Sequence, residues 1–160
     1  MFGFLKPRSR REAEAFFAKA AEAHQQLRFF VDDTDVLRAL SIVIVDNCMA
    51  ALRRDRKYGD AYILAADAIS FWAQTIAVVR EDPARSLELA SMAAFALKEW
   101  RTRRYFARNA ARGKDVEERL LQIAYFTRPD PQSFDSDALD SRWRDIFFET
   151  GDARFRELIG

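Results

Sequence analysis

The chain has 160 residues, 49% hydrophobic and 32% charged, with a net charge of +1. Such a composition fits one ordinary soluble domain, long enough to bury about two-thirds of its unfolded surface without disulfide staples. The single cysteine excludes an intrachain disulfide and a cysteine metal cluster, and five glycines leave little for phosphate-cradling loops.

The scarcity of Gly and Pro beside abundant Ala, Leu, Arg and Glu favours helices throughout. Residues 1–8 read as a tail whose Phe2, Phe4 and Leu5 precede Lys6 and Arg8 and, just beyond it, Arg10 and Arg11, a weak candidate for contact with an anionic membrane surface. Its order, apolar before basic, is the reverse of a secretory signal, so a cytoplasmic protein is expected. Ser9 and Glu12 have capping-box spacing and open a first helix to about Phe30. His24 lies on this helix. A lone histidine with no cysteine cluster or E-x-x-H spacing implies no metal site and no di-iron set.

Asp32, Asp33 and Asp35 can each cap a second helix. Val36 stands where a D-D-x-x-D magnesium site would need its third carboxylate, so capping explains the cluster. The helix spans the most apolar run of the chain, Val36 to Leu52, and ends in Arg53-Arg54-Asp55-Arg56-Lys57 before Gly59. Leu37, Leu40, Ile44, Cys48 and Ala51 share one face, while Ile42, Val45 and Met49 fall opposite. A helix apolar on both sides is wrapped by neighbours or covered by a partner, which makes this segment the expected centre and Ile42, Val45 and Met49 a candidate homodimer face. At seventeen residues with Arg38, Asp46 and Asn47 inside, it is too short and polar to span a membrane.

Asp60 is expected to cap a third helix, Ala61 to about Arg80, in which Asp67 is embedded among apolar residues. Asp82-Pro83 opens a fourth helix, read as the longest and ending at Gly113. Asp115 then caps a shorter fifth helix to about Phe126, and Thr127 to Pro131 breaks it. A sixth helix, Asp137 to Glu149, stops at Gly151, and Asp152 opens a last turn containing Phe155, Leu158 and Ile159. The fold expected is all-α: a bundle of four main helices over 9–127, with a shorter C-terminal helical pair over 128–160 packed upon it.

Two groups carry the functional reading. On one continuous fourth helix, Lys98, Arg101, Tyr105, Arg108 and Arg112 would share a face with Arg104 at its flank, and only Glu99 opposes the seven cations between Lys98 and Lys114. That stripe would suit an acidic protein surface or a nucleic acid, whose bases the interleaved aromatics could stack on. It would equally suit the chain's own acidic end, or stand simply as a solvated face that keeps the protein soluble. Basic residues outnumber acidic by six over 1–114, and acidic outnumber basic by five over 115–160. Asp46 and Asp67 are embedded carboxylates that must be paired or neutralised; a structural role is the commoner outcome, an acid–base pair the alternative. No nucleophile elbow, dinucleotide fingerprint or other catalytic constellation is present, and no cofactor is implied. The expectation is a non-enzymatic protein-interaction module of adaptor, inhibitor, immunity or chaperone type, acting on another protein or on a second copy. A nucleic-acid binder using Lys98, Arg101, Arg104, Tyr105, Arg108 and Arg112 is the alternative.

Overall fold

The computed structural model describes residues 5–103 and 106–160, and among these the fold is all-α, without strands. Seven helices follow in order: α1 (Arg8–Gln26), α2 (Thr34–Arg54), α3 (Gly59–Val78), α4 (Pro83–Arg101), α5 (Ala110–Thr127), α6 (Ser136–Trp143) and α7 (Ile146–Ile159). Two starts follow their sequence signals. The Asp33 carboxylate accepts from the Val36 amide at 3.1 Å, and that of Asp82 from the Arg85 amide at 3.2 Å. The Ser9 capping box does not form: α1 begins at Arg8 behind Pro7, and Glu12 pairs with Arg8 and Arg54 instead.

The hub is α3 rather than α2. Twelve of its twenty residues are buried, and α2, α4 and α5 pack around it. With Asp60 and Asp67 its only charged residues, α3 is long and apolar enough to cross a membrane by length and composition, a property the sequence reading weighed only for Val36 to Leu52. In this bundle the same apolarity is absorbed by neighbouring helices.

On α2, both apolar faces are covered by the chain itself. Val45 and Met49 are fully buried and Ile42 is partly buried against the core, so the face offered as a homodimer surface is closed by α7. The crossing is tight, because a Cβ at Gly151 would lie 3.2 Å from the Met49 methyl group. Gly151 therefore sits inside α7 rather than ending a helix, and the expected sixth helix is divided by a break at residues 144–145.

The fourth helix is also shorter than expected. It ends at Arg101, and 110–112, expected at its end, open α5. The break carries no Pro or Gly. It is closed by Thr102, whose hydroxyl donates to the Glu99 carbonyl at 2.7 Å, and by Arg103, which folds over the Tyr62 ring and donates to its hydroxyl at 3.0 Å. Gly113, expected as a stop, lies within α5 where the Trp100 ring presses on its backbone: an added Cβ would stand 2.4 Å from Cη2. Five long helices and a C-terminal pair thus form the described structure.

Several charges of the C-terminal segment, of both signs, are paired within the chain. Arg53 donates to the Phe148 carbonyl and to Asp152, Arg154 holds Glu88 through two nitrogens, Arg156 reaches Asp46, and Lys98 reaches Asp140. These pairs seat α6 and α7 while Trp143, Phe147 and Phe155 enter the core. Buried serines satisfy the indoles: Trp72 donates to Ser41 and Trp143 to Ser91. Cys48 is a buried hydrophobe, and burial pushes its thiol pKa upward.

Gly113→Ala is expected to destabilise the fold by about 2 kcal/mol through overpacking against Trp100. In a Trp100→Leu background the same substitution should cost markedly less, as chemical denaturation of the four-member cycle would measure.

Candidate functional site

The helices α1, α3 and α5 run parallel. Asn109 and Asp60 meet at one end, His24, Asp67 and Arg119 in the middle, and Gln74 and Gln122 further along. Helical spacing then sets the faces that border the space between them. On α3, Asp60, Asp67, Phe71, Gln74 and Val78 follow three- and four-residue steps or their sum, and on α5 so do Arg112, Asp115, Arg119, Gln122 and Phe126. The shared surface is therefore polar at its start and apolar at its finish.

At the centre, the Asp67 carboxylate lies 2.8 Å from Nε2 of His24 and 2.5 Å from Nη1 of Arg119, which also donates to the Asp67 carbonyl and the Ser70 hydroxyl. Burial by itself would raise the Asp67 pKa. The His24 hydrogen bond and the Arg119 charge outweigh it, so the carboxyl is held below its ordinary value. An ionised carboxylate only accepts, so Nε2 of His24 carries the proton. Ser70 is buried and turns its hydroxyl to the Asp67 carbonyl.

Around this triad opens a cleft of about 500 Å³ bordered by His24, Asp67, Arg108, Arg112, Asp115 and Arg119, with Asn109 and Ala111. Sequence reasoning named Asp67, Arg108 and Arg112 as candidates but on separate grounds, and it missed Arg119 and the use of His24. The signal was faint: an embedded Asp67 demands a cation, and nothing in one dimension says which.

The expected stripe is not one helix face. Lys98 pairs with Glu99 and Asp140, and Arg101 pairs with Glu117, where both line a second, mostly apolar cavity of about 740 Å³ between α4, α5 and residues 129–139. Arg108 and Arg112 lie at the first cleft, while Arg104 and Tyr105 lie outside the described residues. Asp46 pairs with Arg156 and Asp67 with His24 and Arg119, so the two carboxylates are engaged separately. Near the N-terminus, Lys6, Arg8 and Arg10 each have a carboxylate partner, and Phe2 and Phe4 lie outside the described residues. No group of His, Cys, Asp and Glu side chains among the described residues has the arrangement of a metal site.

The remaining surface feature is apolar. Phe29 and Val31, just beyond α1, are each 69% exposed, Val79 is 75% exposed, and Tyr125 and Phe126 are 76% and 60% exposed. The parallel course of α1, α3 and α5 brings all five to the end of the bundle where these helices finish. Compared with family models, curated proteins and solved structures, the chain matches none.

Because the folded-state pKa of Asp67 is depressed, its contribution to stability is fully present above the ordinary carboxylate value of 3.8 and is lost as pH falls through the folded value. Asp67→Asn should cost about 3 kcal/mol at pH 7 by leaving His24 and Arg119 without their carboxylate. It should also flatten the acid limb of a stability–pH curve measured by urea denaturation.

Proposed function

We propose that the protein is a cytoplasmic, non-enzymatic helical module that acts by binding another protein. The observation that carries this reading is the placement of Phe29, Val31, Val79, Tyr125 and Phe126 at one end of the bundle, where large apolar side chains stand in solvent. Exposed large hydrophobics gathered at one end, unlike single ones scattered over a surface, mark contact sites. Phe71 and Val78, on the α3 face that leads into this end, are about two-fifths and one-half exposed and extend it.

The rim supports a protein over a polyanion. It carries both signs, with Asp32, Asp35 and Glu81 beside Arg28, Arg80 and Arg128, all exposed. A mixed polar rim around an apolar centre is the usual anatomy of a protein interface. The nucleic-acid alternative rests on fewer cations than expected, since Lys98 and Arg101 are held by carboxylates of the chain. The contact surface proposed differs from the α2 face, whose Val45 and Met49 are in the core.

A photo-cross-linking side chain at position 125 should give a discrete adduct, with a second copy or another protein, that Val79→Glu abolishes. The same group at Lys57, at the opposite end, should give none. Equal adducts from both positions, or none from position 125, would sink the proposal.

A further inference from the structure

We propose that the cleft between α1, α3 and α5 binds the phosphoryl group of a small polar ligand, with Arg112 as its principal anchor. The proposal stands apart from the protein-contact surface, which lies at the far end of the same helices.

Three guanidiniums, Arg108, Arg112 and Arg119, border the cleft against two carboxylates, Asp67 and Asp115. Asp67 is already taken by His24 and Arg119. Asp115 stands one turn beyond Arg112 yet makes no ion pair with it, and Arg112 has no carboxylate within ion-pair distance among the described residues. A half-buried guanidinium in that position has lost water without gaining a counter-charge, which is costly unless a ligand supplies one.

Geometry adds the remaining donors. Arg108 and Arg112 are four residues apart where the chain enters α5, and both face the cleft. The first turn of α5 receives no side-chain cap, because the Asn109 amide is turned to Asp60 at 2.8 Å. The start of α5 itself borders the cleft through Asn109, Ala111 and Arg112, so the positive end of the helix dipole adds to the two guanidiniums. Guanidinium forks beside the positive end of a helix fit an anion with several acceptor oxygens, as a phosphoryl group has.

The space is also of the right kind. About 500 Å³ exceeds a bare phosphate and falls within the range of small-ligand sites, and its lining is mainly polar. A polar carrier of the phosphoryl group, rather than an apolar one, is what this lining accepts. The fixed triad of His24, Asp67 and Arg119 forms the rigid back wall.

Calorimetric titration with pyrophosphate tests the site, and His24, the only histidine, provides a unique ring signal at the cleft for NMR. Saturable binding that shifts the His24 resonances is expected. Arg112→Gln should weaken it by roughly tenfold or more, the loss appropriate to one charge-assisted contact. Arg112→Lys, which keeps the charge but not the fork, should weaken it less and serves if the glutamine variant does not fold. Arg11→Gln, an exposed cation outside the cleft, should bind as the wild type does. Non-saturating shifts, equal loss in Arg11→Gln, or unchanged affinity in both Arg112 variants would overturn the proposal. So would Arg112-dependent binding of a labelled single-stranded oligonucleotide that pyrophosphate does not displace, which would assign these cations to a nucleic-acid strand.

Discussion

A carboxylate in the middle of an apolar helix constrains the whole bundle. Asp67 lies on α3, the helix with the most extensive burial, and an ionised group there is tolerated only with partners that replace water. Those partners come from two other helices, His24 on α1 and Arg119 on α5, at 2.8 Å and 2.5 Å. The clamp fixes the relative height of three parallel helices, and with it the cleft beside Asp67 and the apolar end beyond Phe71. Among the described residues, no ionised group is held between α3 and α4, where small residues such as Ala65, Ala93 and Ala96 are fully buried and the Ser86 hydroxyl donates to the Ala73 carbonyl at 2.7 Å.

The C-terminal helices complete the core rather than decorate it. Phe147 and Phe155 are fully buried, and the Phe95 and Phe147 rings stand 5.0 Å apart. Ion pairs running in both directions, Arg53 to Asp152 and Arg156 to Asp46, set the register in which α7 crosses α2. Exposed pairs of this kind add little stability one by one, so orientation is their larger contribution, and burial of the aromatics supplies the energy. Part of the charge along the chain is thereby paired inside one molecule.

The two functional proposals use different chemistry on one surface. Its polar start offers a guanidinium without a counter-charge, and its apolar finish offers aromatic and branched side chains held in solvent. The Asp67 clamp separates the two regions and holds α1, α3 and α5 in place for both. A ligand at the polar end therefore rests against the same three helices that present the apolar end.

Much of the helical content was legible in the sequence, because it follows from local signals: Asp33 and Asp82 as caps, Pro83 at a first turn, and apolar steps of three and four along each segment. Glycine misled, since Gly113 and Gly151 mark close approach by Trp100 and Met49 and not helix ends, and a one-dimensional pattern carries the same letter for both. The break after Arg101 was invisible because it depends on Arg103 reaching Tyr62, forty-one residues away. For the candidate site, the sequence marked Asp67, Arg108 and Arg112 individually, while only the parallel packing of α1, α3 and α5 joined them to His24 and Arg119. The sequence by itself determined that this chain is helical and where an embedded carboxylate would need a partner. Tertiary structure alone decided which helix is the hub, which cations are neutralised within the chain and which surfaces stay open, because burial and charge pairing are set by neighbours distant in sequence.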